Sequence, residues 1–86
     1  CRLGKWYYEG EGRDCFSRLA GYREIEAPHI EVHKMGIAAL EEKQSGNSEA
    51  MLGHIELMER ASFAVIDNLQ RMSDSAMNNP ALLCHS

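Results

Sequence analysis

No stretch of the 86-residue chain is long and apolar enough to span a bilayer, and no secretory leader opens it. The nine basic residues are scattered and outnumbered by thirteen acidic ones, for a net charge of -4, so no electrostatic footprint for nucleic acid is present. Cysteine is sparse and odd in number, with three in all. That argues against a disulfide framework and for a reducing compartment, so a cytoplasmic location is expected. Cys15 and Cys84 read as small, slightly polar hydrophobes or free thiols. There are two prolines and no internal repeat. The chain begins on Cys1 rather than methionine, so either it is cut there or further residues precede it.

What is present is ordinary globular composition, 44% hydrophobic and 26% charged, at a length that holds one domain at most. The opening CRLGKWYYEGEG is aromatic and punctuated by Gly4, Gly10 and Gly12, which predicts turns rather than a long helix. Asp14 is placed to cap a short helical turn through Phe16 and Leu19 that closes near Gly21. Pro28 suits the first position of a helix running to about Gln44. On it His29, His33, Ile37 and Leu40 share one line. Ser45, Gly46 and Asn47 predict a turn, Gly closing one helix and Asn capping the next.

The second helix is expected to end near Met72. Its apolar positions Met51, Ile55, Met58, Val65, Leu69 and Met72 alternate by four and three, with Ser62 filling the one polar place. The fold class is therefore all-α, an antiparallel helical hairpin forming part of a four-helix-bundle-like domain. A hairpin cannot cover both of its apolar faces, so an absent upstream helix, a second copy of the chain, or both must complete it. A homodimer is expected. Residues 1–73 form the domain and residues 74–86, polar and containing Asn-Asn-Pro, a frayed or disordered tail.

The chemistry-bearing feature is His29-x-x-x-His33, two imidazoles one helical turn apart on one face. Alone it is a weak signal, because such pairs are more often partly exposed or hydrogen-bonded histidines. Here both share a stripe with Ile37 and Leu40, where a neutral imidazole needs a partner. Pro28 fixes the start of the helix beside them. Cys1, a soft ligand, sits in a segment able to fold over that helix end.

CRLGKWYYEGEGRDCF from Cys1, PHIEVH at Pro28–His33 and MERAS at Met58–Ser62 together resemble the chemoreceptor zinc-binding domain of bacteria, from Cys1 to about Met72. The cysteine ahead of LGKWYYEGEGR combined with the paired histidines is far more specific than either half. The resemblance implies a helical bundle that dimerises. It implies zinc held by three histidines and one cysteine, and attachment to cytoplasmic chemoreceptors or diguanylate cyclases whose output it adjusts. Carried over by position, Cys1 is the thiolate ligand and His29 and His33 are two of the imidazole ligands.

The family's remaining histidine lies on a helix upstream of the cysteine, which this sequence lacks. His54 does not replace it. In a hairpin turning near Gly46, the residues facing the histidine pair are around Phe63 and Glu59, which leaves His54 roughly 8–14 Å nearer the turn. His85 in the tail, water, the N-terminal amine or a residue of another chain stay open, with the missing helix the best explanation.

The expected function is a regulatory sensory module. It responds to zinc, or to oxidation of the zinc-bound Cys1 by an oxidant such as hypochlorous acid, and modulates an attached signalling protein. A purely structural, zinc-stapled dimerisation domain is the alternative. A metallohydrolase would need a general base and a cleft that the sequence does not offer, so no enzyme is expected. Trp6, Tyr7, Tyr8, Phe16 and Tyr22 read as packing against the bundle end and shielding the metal, and Glu9 and Glu11 as solvated charges. Glu26 and Glu31 are candidate acceptors for the imidazole N–H groups.

Overall fold

The computed structural model describes residues 1–83. Cys84, read above as a small hydrophobe or a free thiol, and His85, a candidate fourth ligand, lie outside the described residues. Among the described residues every regular element is helical: α1 (Arg2–Tyr8), a π-helical turn (Gly12–Phe16), a 3-10 turn (Arg23–Ile25), α2 (Glu26–Ser45), α3 (Ser48–Asn78) and a last 3-10 turn (Pro80–Leu82). They form two compact units. One comprises Cys1–Arg23 with the chain from Asn68 onward, the other Glu24–Asp67.

In the second unit α2 and α3 pack as the expected helical hairpin. Pro28 sits in the first turn of α2, two residues later than expected and still where its missing N–H is not needed. Glu26 in the first turn and Lys43 in the last suit the helix dipole. Gly46 ends α2 in the left-handed region (φ 82°), which brings the Asn47 N–H to the Glu42 carbonyl at 2.9 Å. Asn47 then caps α3 through its Oδ1, which accepts from the Ala50 N–H at 3.1 Å. The turn chemistry read from Ser45-Gly46-Asn47 is the turn that forms.

Which faces are buried differs from the pattern reading. Ile37 and Leu40 are 59% and 61% exposed, and the buried residues of α2 are His29, Met35 and Ala39. On α3, Ala61, Val65 and Met72 are buried, whereas Ile55 and Leu69 are only half-buried. Of the expected positions on α3, Val65 and Met72 are buried and Met58 is half-buried, and Ala61, which the pattern passes over, is buried beside them. Between α2 and α3, near the turn, an apolar groove is lined by Gly36, Ala39, Leu40, Met51, Ile55 and Met58.

In the first unit the opening segment is not irregular. Residues Arg2–Tyr8 form α1, with Cys1 at its N-cap and the Lys5 N–H donating to the Cys1 carbonyl at 3.2 Å. Gly4 is tolerated inside the helix. Gly10 and Gly12 matter for another reason. A Cβ at Gly12 would stand 2.7 Å from the Trp6 ring, so the chain after α1 folds back onto that indole, which also meets Phe16 at a 5.5 Å centroid distance. Asp14 does not cap the following turn but lies within it, and Glu11 holds the cap position.

Gly21 does close this region, with φ 90°. The N–H of Ala20 donates to Ser75 Oγ at 3.3 Å, and a Cβ at Gly21 would strike the Asn68 carbonyl. α3 accordingly continues past Met72 to Asn78, because part of the stretch read as tail carries a tertiary hydrogen bond. Cys15, expected to be a small hydrophobe or a free thiol, is disulfide-bonded. No helix among the described residues is long and apolar enough to cross a membrane.

Candidate metal centre

α2 sets the histidine pair. With 3.6 residues per turn, His29 and His33 stand one above the other. Their rings meet nearly at right angles (79°) with centroids 4.8 Å apart. The two Nε2 atoms face each other at 3.2 Å. Two neutral imidazoles manage this only if one Nε2 carries the proton and the other offers its lone pair. A divalent cation between two lone pairs is the other solution. Zn–N bonds of about 2.0–2.1 Å at a tetrahedral angle separate two nitrogens by about 3.3 Å, close to the spacing already present.

The two rings differ in environment. His29 is 8% exposed and His33 is exposed. Burial of the His29 ring holds its pKa below the ordinary 6.5, and the charge on His33 acts in the same direction. His29 is therefore held in the neutral form, which is the form that binds metal.

The sign of the pH effect follows. The unfolded chain takes up a proton at His29 at a higher pH than the folded chain does, so stability rises with pH through that window. The metal-free protein should melt at progressively lower temperature as the pH falls below the ordinary histidine value of 6.5, and His29→Gln should remove part of that slope. An unchanged slope in the variant would show that His29 is not the group responsible.

Cys1 stands exposed at the N-cap of α1, outside any disulfide. Cys1, His29 and His33 form a group whose ligand atoms all lie within 4.8 Å of one another. The donor set fits zinc, since a soft thiolate with two borderline imidazoles suits that ion and not a hard, oxygen-seeking cation such as magnesium or calcium. His54 is not part of this group. It lies on α3, half-buried, with a buried Nδ1 that has no hydrogen-bond partner among the described residues. Glu9 and Glu11 are exposed, beside Lys5, Trp6 and Gly10 in an open surface depression.

A reciprocal tyrosine pair, one member on α1, has no signal in the sequence. Tyr7 and Tyr22 are both buried, and their rings stack at 4.2 Å and 11°. Tyr7 donates its hydroxyl to the Tyr22 carbonyl at 2.8 Å, and Tyr22 donates its hydroxyl to the Tyr7 carbonyl. No residue periodicity signals such a pair, because its members come from a helix and from a loop.

Compared with known proteins, residues 1–40 match the family model described as the chemoreceptor zinc-binding domain. The match takes in Cys1, the LGKWYYEGEGR segment and both histidines. It ends at Leu40, so the MERAS segment lies outside it, although the resemblance was read to about Met72. No curated protein and no solved structure matches the chain.

Proposed function

We propose that the chain, whose residues 1–40 match the family model of the chemoreceptor zinc-binding domain, is a regulatory module of that kind holding zinc through Cys1, His29 and His33. The observation that carries this reading is the convergence of one thiol and two imidazoles within 4.8 Å. Bound there, zinc would supply no redox chemistry of its own. It would act as a cross-link between the cysteine arm and α2. The family is regulatory rather than catalytic.

In this proposal the functional unit spans residues 1–73, followed by 74–86. It acts on an attached cytoplasmic chemoreceptor or diguanylate cyclase and senses zinc or the oxidation of Cys1. The His pair anchors the ion and Cys1 is the switch, because a zinc-bound thiolate is the ligand that oxidants attack. Losing that ligand frees the arm, and a helical bundle passes such a change to whatever it joins.

A homodimer is part of the same reading. Ile30, Ile37, Leu40, Phe63 and Ile66 leave apolar surface exposed, and a second copy would cover it. The fourth ligand in this proposal is a histidine from an upstream helix, as in the family.

The second reading, a zinc staple needed for folding, separates from the first on metal removal. Chelation of the zinc-loaded protein should leave its helical circular dichroism essentially unchanged while the exposed Cys1 thiol becomes reactive to alkylation. Collapse of the helical signal on chelation would instead identify a structural staple.

A further inference from the structure

We infer that Tyr7 and Tyr22 are the positioning residues of the metal centre, holding Cys1 in the place from which it ligates. The inference rests on the zinc reading above and adds to it the device that presents the thiolate.

The argument starts from what α1 is. A helix of seven residues is too short to be stable by itself, so whatever fixes it must come from outside. Its first residue is preceded directly by Cys1, whose carbonyl is tied into the first turn by the Lys5 N–H. Cys1 is thus a rigid extension of α1, and where α1 is held decides where the sulfur stands.

The last carbonyls of any helix lack partners within it. Here the Tyr7 carbonyl accepts the Tyr22 hydroxyl, while the Tyr7 hydroxyl serves the Tyr22 carbonyl in return. With the rings stacked at 4.2 Å and 11°, the two residues run head to tail and fix α1 in translation and in rotation. Both are buried, at 5% and 8% exposure, so water competes poorly for these bonds. Tyr8 adds an edge-on contact to Tyr7 at 4.9 Å. Tyr22 belongs to the loop just ahead of the 3-10 turn and α2. The clamp therefore ties the cysteine-bearing helix to the chain that leads directly into the histidine-bearing one.

An ordinary core pair would contribute stability and nothing else. A positioning pair contributes to how well the sulfur is presented, and outer partners of metal ligands are typically worth 10- to 100-fold in affinity. Tyr7→Phe and Tyr22→Phe each delete one hydroxyl and keep the ring stack.

The test is made on the full chain with cobalt(II) and zinc(II) as probes. The thiolate-to-cobalt charge-transfer band reports sulfur ligation, and competition with a chromophoric chelator reports zinc affinity. Gly46→Ala, at the far hairpin turn, serves as a variant that lowers melting temperature without touching the clamp. Each phenylalanine variant should bind zinc about tenfold more weakly and show a reduced thiolate band. Gly46→Ala should keep both at the wild-type level.

A full thiolate band and unchanged zinc affinity in either folded phenylalanine variant, whatever its melting temperature, would overturn the inference. So would equal losses in Gly46→Ala. Should one variant fail to fold by circular dichroism, the other carries the same test. Absence of a thiolate band in the wild-type chain is a different failure. It would remove the zinc reading itself, and the positioning role with it.

Discussion

Cys1→Ala should weaken zinc binding by more than about 100-fold, because the loss of a direct ligand must exceed the 10- to 100-fold typical of outer partners. The residual affinity would come from His29 and His33, whose Nε2 atoms already stand 3.2 Å apart. Folding should be little affected, since Cys1 is exposed and its backbone carbonyl, which accepts from the Lys5 N–H, is kept in the variant. Chelator competition measures the affinity, and circular dichroism shows that the helices persist. The same variant should lose any response to hypochlorous acid that the wild-type site shows. Wild-type affinity in Cys1→Ala would mean that the sulfur is not a ligand, and the switch assigned to it would have no basis.

Gly21→Ala carries the largest expected cost in stability, about 2–4 kcal/mol. Two effects add. At φ 90° a side chain is strained wherever it points, and at this position the new Cβ would also strike the Asn68 carbonyl of α3. Backbone cannot give way as a flexible side chain can. Gly46→Ala is the internal comparison, because its φ is 82° and nothing stands within 4 Å of its missing Cβ. It should cost only about 1 kcal/mol. Urea denaturation of both variants isolates the steric part as the difference between them. Equal midpoints would show that Gly21 is needed only for its backbone conformation and that α3 does not press against it.

The hairpin was legible because its signals are local. Pro28 near the start of α2, Gly46 at its end and Asn47 at the start of α3 each act through the backbone within one turn of chain. The histidine pair was legible for the same reason, since i and i+4 on a helix meet whatever surrounds them.

Facing was not legible in the same way. On α2 the buried residues are His29, Met35 and Ala39, whereas Ile30, Ile37 and Leu40, the more hydrophobic choice, are more than half exposed. On α3 Ala61 is buried and Ile66 is left at 60% exposure. The continuation of α3 to Asn78 was hidden because its stretch is polar, and Ser75 within it accepts a tertiary hydrogen bond from the Ala20 N–H. α1 was missed because glycines that serve close packing against Trp6 look, in sequence, like turn formers.

The central claim is that one sulfur and at least two imidazole nitrogens bind the same ion. X-ray absorption at the zinc edge of the loaded protein tests it most directly, because the first shell separates sulfur from nitrogen neighbours. The account predicts a single sulfur with a majority of nitrogen scatterers, the sulfur vanishing in Cys1→Ala. A first shell of nitrogen and oxygen alone in the wild-type protein would contradict it.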